Sequence, residues 1–263
     1  MEIYELKKSL NEIQMTIKNK INSLEDMFCG CHSLKNIEEL KHLDTSEIDN
    51  FSGMFKECSL LSNIISLENW NVSKGKNFSK MFSKCLSLSS LEGLENWDVS
   101  NGNNFAKMFE GCSSLSDIDA LENWNVQNSF KFRSMFENCE SLSNIRSLKN
   151  WNVSNAFDFS QMFLECISLS DLKGLENWKF SNKVNFEDIP SEINEEDEMI
   201  FVNLRPEGMS YKNVSGINLF YMFSKCISLS NLNALKNWNI SNVKKLNGLF
   251  NNCVSLIDIT GLD

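Results

Sequence analysis

The cysteines of this chain fall at a fixed interval. Cys31, Cys58, Cys85, Cys112, Cys139 and Cys166 are each 27 residues apart, and Cys226 and Cys253 keep the same spacing. Trp70, Trp97, Trp124, Trp151 and Trp178 share that period, and Trp238 resumes it. A single globular core gives no reason to repeat at one interval. A stack of like supersecondary units does, because each unit buries its apolar face only against its neighbours. The chain is therefore expected to be a solenoid with one continuous core, and solenoids mostly bind other molecules.

Residues 78 to 104 serve as the type unit. Phe78, Met81, Phe82 and Cys85 stand at i, i+3, i+4 and i+7, which predicts one face of a short helix with Asn77 as its N-cap. The quartet recurs at Phe105, Phe132 and Phe159 and weakens to Leu246, Leu249, Phe250 and Cys253. After it comes Leu88-x-x-Leu91-x-Gly93-x-x-Asn96, whose third apolar slot is small in every regular copy, at Ser66, Ala120, Ser147, Gly174, Ala234 and Gly261 as well. This pattern predicts a short strand, with the small residue making room for Trp97. The parallel strands of successive units would form one face of the stack and the helices the other.

This unit resembles a leucine-rich repeat, with Leu88-x-x-Leu91-x-Gly93-x-x-Asn96 in place of the LxxLxLxxN signature. The fuller pattern is Met81-Phe82, Cys85, Ser87-Leu88 and then Asn96-Trp97-Asp98-Val99-Ser100. It is similar to the BspA-like leucine-rich-repeat surface proteins, over residues from about 24 to 263. The resemblance implies an α/β leucine-rich-repeat solenoid, with a parallel sheet on the concave face and short helices on the convex face. It also implies a non-catalytic surface or adhesion module, and it carries over no functional residues.

Composition narrows the partners. The net charge of −10 argues against non-specific binding of nucleic acid or anionic membrane, and no apolar run is long enough for a transmembrane helix. The N-terminus MEIYELKKSL shows no apolar export segment. The nine cysteines are odd in number and mostly occupy one repeat position, so Cys58, Cys85, Cys112, Cys139 and Cys166 are expected to be buried free thiols. These features make an intracellular interaction scaffold the alternative to a surface protein, with an enzyme or metal-binding protein a distant third. Cys29, Cys31, His32 and His42 are the one group that suggests zinc, and their spacing fits no regular zinc motif. No cofactor is expected.

Three irregularities interrupt the period. Residues 1–23 place Ile3, Leu6, Leu10, Ile13 and Ile17 at 3–4 spacing, which predicts an amphipathic helix capping the solenoid of residues 24–263, or a short coiled-coil segment. Cys166 to Cys226 spans 60 residues, which predicts about nine units, one of them degenerate. That unit holds Pro190 and Pro206 and an acidic insertion at 187–210, read as a loop leaving the stack. The sequence stops at Thr260-Gly261-Leu262-Asp263, inside a predicted strand, which leaves two expectations: a truncated protein, or a last edge that pairs with something.

Two sets of positions stand out as candidate sites. Asn69, Asn96, Asn123, Asn150, Asn177 and Asn237 precede every tryptophan and are expected to form a structural ladder to adjacent backbone. Glu92, Asp119, Arg146 and Lys173 occupy an outward slot that changes from unit to unit while core slots hold, with Asp117 and Lys149 beside them. These six residues are the expected binding surface for a protein partner.

Overall fold

A computed structural model describes residues 4–9, 12–17, 20–180 and 216–260. Successive 27-residue units lie one on another. Single parallel bridges join Ser23 to Asn50, Asn50 to Asn77, Asn77 to Asn104, Asn104 to Lys131, Lys131 to Asp158 and Asp158 to Asn218. The short strands β3 (Ile217–Asn218) and β4 (Val243–Lys245) continue this parallel row. The row thus has eight rungs, at residues 23, 50, 77, 104, 131, 158, 218 and 245.

The apolar quartets are not helical; among the described residues there is no α-helix. Phe78 to Cys85 is instead a run of turns. Met81, Ser83 and Cys85 donate their N–H groups to the carbonyls three residues earlier, at 3.0–3.3 Å. The alternate N–H groups of Phe78, Lys80, Phe82 and Lys84 donate to Asn104, Ala106, Met108 and Glu110 of the next unit. Every unit repeats two left-handed residues in this run, such as Lys80 and Lys84 with φ of 59° and 60°, or Lys107 and Gly111 with 60° and 73°. A left-handed residue at every fourth position forbids the right-handed helix. The apolar spacing survives because a four-residue turn repeat, like a helical turn, returns to the same side, so Phe78, Met81, Phe82 and Cys85 are all fully buried.

The segment expected to be a strand is also made of turns. Short 3-10 helices occur at Ile65–Leu67, Asp119–Leu121, Arg146–Asn150 and Asn233–Leu235. The small third slot faces the backbone of the preceding unit rather than tryptophan. A Cβ on Gly93 would lie 2.8 Å from the Ile64 carbonyl oxygen, and Gly93 has φ +103°. The following leucines, Leu67, Leu94, Leu121, Leu148, Leu175 and Leu235, all lie in the core.

Cysteine and tryptophan recur because each supplies a donor across the unit boundary. The thiols of Cys58, Cys85, Cys112, Cys139 and Cys166 donate to the carbonyls of Phe28, Phe55, Phe82, Phe109 and Phe136, at 3.1–3.2 Å. The Phe82 carbonyl already accepts from Cys85 N–H, so the thiol of Cys112 fills its second lone pair. All five cysteines are buried and free, whereas Cys29 and Cys31 of the first unit are exposed. Phenylalanine and tryptophan rings stack in register, with centroids 5.3 Å apart for Phe78–Phe105 and 6.4 Å for Trp97–Trp124.

The long interval is bridged without a unit between. Asp158 pairs with Asn218, Phe163 stacks on Phe223 at 5.7 Å, and Trp178 stacks on Trp238 at 6.5 Å. The units at 157–180 and 217–240 are direct neighbours, so the degenerate unit expected between them does not separate them. The acidic insertion at 187–210, with Pro190 and Pro206, lies outside the described residues, as do Gly261 and the end of the chain.

The N-terminal segment differs from the expected capping helix. β1 (Tyr4–Ser9) and β2 (Glu12–Ile17) pair antiparallel, with Tyr4 opposite Ile17 and Ser9 opposite Glu12. Ile13, Met15 and Ile17 alternate with Gln14 and Thr16, so a strand period coexists in this sequence with the 3–4 spacing.

Candidate functional site: an exposed row of variable residues

The outward slot falls on the first residue of the second turn after each quartet. Ile65, Glu92, Asp119, Arg146, Lys173 and Asn233 are all exposed and stand one per unit along the stack. Ile65, Asp119, Arg146 and Asn233 each open a 3-10 helix. The row thus lies on turns, not on a sheet.

The residue two positions earlier locks each turn. Asn63 Oδ1 accepts from Ile65 N–H at 2.9 Å, Asn144 Oδ1 from Arg146 at 3.0 Å, and Asp171 Oδ1 from Lys173 at 3.0 Å. Asp117 belongs to this set, since its Oδ1 accepts from Asp119 N–H at 3.3 Å. A short polar side chain bonding backbone two residues on is a turn device. Asp117 therefore acts in the scaffold beneath the row.

The charges of the row are partly matched within the chain. Lys149 Nζ lies 2.8 Å from Glu122 Oε1 of the preceding unit. Arg146 and Lys173 share the carboxylate of Asp171, at 3.8 and 3.5 Å, and their side chains stay 60% and 58% exposed. Such exposed pairs contribute about 0–1 kcal/mol each and leave the cations open to a partner.

The expected asparagine ladder is placed differently. Asn69, Asn96, Asn123, Asn150, Asn177 and Asn237 are all exposed, and among the described residues none donates to the backbone of a neighbouring unit. The inter-unit bonds at these points come from tryptophan. Trp97, Trp124, Trp151 and Trp178 donate Nε1–H to Leu67, Leu94, Leu121 and Leu148, at 2.9–3.1 Å. An asparagine ladder between units does exist, at other positions: Asn101, Asn128 and Asn155 donate Nδ2–H to the carbonyls of Ser73, Ser100 and Gln127 at 2.7–2.8 Å, and Asn50, Asn77 and Asn104 of the bridged row accept at Oδ1 from the N–H two residues on.

In that same row Asp158 replaces asparagine. It is fully buried; its Oδ1 accepts from Ser160 N–H, Ser160 Oγ and Asn218 Nδ2, while Oδ2 has no partner. Burial pushes its carboxyl pKa up, against the opposing pull of the Ser160 bonds. The same desolvation raises the thiols, Cys58 to about 11 and Cys112 to about 12.

A cleft of roughly 640 Å³ opens beside the start of the row, lined by Lys35, Glu38, Lys41, His42, Ile65 and Glu68 among others. No periodic signal in the sequence marks it; of the two histidines only His42 lines it, beside Lys35 and Lys41. His32 lies outside the cleft, with its Nδ1 2.8 Å from the Glu57 carbonyl oxygen. Among the described residues no group of three histidine, cysteine or carboxylate side chains is placed to hold a metal, and no helix is long and apolar enough to cross a membrane.

A family model described as "Mycoplasma protein of unknown function, DUF285" matches residues 3–117, 88–200 and 207–261. The first two matches overlap, as expected where one repeat pattern aligns in more than one frame. No curated protein and no solved structure matches the chain. With nearly the whole length matched, the chain belongs to the DUF285 family.

Proposed function

We propose that this chain is a non-catalytic protein-binding module that recognises its partner through the exposed row at Glu92, Asp119, Arg146 and Lys173. We further propose that its stack is a variant leucine-rich-repeat solenoid of the BspA-like kind, with the bridged row in the part of the parallel sheet, and that it serves at a surface in adhesion. The observation that carries this reading is the contrast between two kinds of position. Cys85, Cys112 and Cys139 or Trp97, Trp124 and Trp151 hold one identity and one hydrogen bond per unit, whereas the exposed row changes residue at every step and charge along the stack. A rigid frame presenting divergent exposed residues is the arrangement of recognition surfaces. The exposed, unbridged thiols Cys29 and Cys31 favour a second reading, an interaction scaffold in a reducing compartment.

The test is site-specific photo-crosslinking from position 92 or 173, against a control at Lys74 on another part of the surface. Partner capture from the row and not from Lys74 is expected, and reversal of Asp119 and Arg146 together should weaken it with the melting temperature nearly unchanged. Capture that survives the reversal but is lost on deleting residues 181–215 or 1–23 would move the site to those segments.

A further inference from the structure

We propose that the row is self-complementary, and that two copies of this chain associate through it antiparallel, about a two-fold axis lying between the Asp119 and Arg146 turns. This rests on the reading of the row as a recognition surface and names its partner. Along the stack the row runs Glu92, Asp119, Arg146, Lys173, two acids and then two bases, one residue per unit. An antiparallel copy presents the reverse order. The axis then sets Asp119 against Arg146 of the second copy and Glu92 against Lys173, and each pairing occurs twice, as an isologous interface requires. Both faces are built from the same repeat, so their spacings agree whatever the rise per unit, and the pairs stay in step.

The neighbouring row, three residues on, obeys the same axis. Its members are Glu95, Glu122, Lys149 and Glu176. Glu122 meets Lys149 of the second copy. The one like-charge encounter would be Glu95 with Glu176, and these two carboxylates are drawn back onto their own turns. Glu95 Oε2 accepts from Gly93 N–H at 2.8 Å and Glu176 Oε2 from Gly174 N–H at 2.6 Å. The basic half keeps a surplus, since Arg146 and Lys173 share the single carboxylate of Asp171. Contacts of this kind set register and specificity more than strength, so the association is weak and salt-sensitive.

Sedimentation equilibrium of the purified full chain tests this. At an ionic strength of about 0.1 M the chain should reach a monomer–dimer equilibrium, and at about 1 M, where the screening length falls to roughly 3 Å, it should be monomeric. Asp119→Arg and Arg146→Asp, made separately, each set like charges opposite one another at both symmetric contacts. Each should weaken self-association by about tenfold or more. An equimolar mixture of these two variants should associate again, because each introduced charge then meets its opposite, and this recovery cannot come from misfolded protein. A monomeric wild type at both ionic strengths overturns the proposal. So does a dimer that the single variants leave intact, or a mixture that fails to recover. If wild type stays monomeric while the row still crosslinks to a foreign protein, the recognition reading stands and self-association alone fails.

Discussion

Trp124 Nε1 donates to the carbonyl oxygen of Leu94, one unit earlier, at 2.9 Å, and that oxygen also accepts the N–H of Trp97 at 3.2 Å. Each tryptophan thus closes the turn of the unit before it while its ring stacks on the tryptophan of that unit. Trp124→Phe removes the donor and part of the buried ring. A loss of about 1–4 kcal/mol is expected by urea unfolding. Asn123→Ala, one residue away and exposed, should stay within about 0.5 kcal/mol of wild type. Equal losses for the two would show that the asparagine ties the units as much as the tryptophan does.

The left-handed residues separate a turn ribbon from a helix. Gln161 has φ 59°, so Gln161→Gly should stabilise the protein, by up to about 1 kcal/mol. In a helix the same change would cost about 1 kcal/mol. The sign of the shift in melting temperature decides between them.

Thiol accessibility should split the cysteines into two classes. Cys29 and Cys31 should label in the native protein, and the other seven only in denaturant. Burial raises the buried thiols, Cys58 to about 11 and Cys112 to about 12, above their ordinary value of 9.0. A group raised in the folded state stabilises fully below its unfolded pKa and loses that contribution as pH rises through its folded value. Stability should therefore hold to about pH 8 and fall from pH 9 upward, by as much as about 1.4 kcal/mol per pH unit for each buried thiol. Urea midpoints that stay flat from pH 8 to 10.5 would contradict this.

Asp158→Asn copies the residue that earlier units carry at Asn50, Asn77 and Asn104. It keeps the acceptor used by Ser160 and Asn218 and removes a buried carboxyl whose Oδ2 lacks a partner. Because burial raises this carboxyl, its stabilising contribution is full below the ordinary aspartate range and is lost as pH rises. The variant should be neutral or more stable by about 1 kcal/mol at pH 7, with the gain shrinking toward pH 4. Destabilisation at pH 7 would mean that the ionised carboxylate is used.

The sequence by itself determined the period, the units and the membership of the core. Phe78, Met81, Phe82, Cys85, Leu94 and Trp97 are all buried where their repetition placed them, because a repeated apolar position must face its own copy in the next unit. It also marked the exposed row, since only positions free of packing diverge. The tertiary structure alone decided the backbone path. Apolar residues at i, i+3, i+4 and i+7 suit a helix and a four-residue turn repeat equally, and what separates them is the acceptor for Phe82 N–H, the Met108 carbonyl 26 residues away. No local pattern carries that partner. Some exposed positions repeat as well, so Asn96 and Trp97 recur together although, of the two, only the tryptophan bonds across the boundary. The direct stacking of Trp238 on Trp178 was equally hidden, because the interval between two copies does not say which copies lie in contact.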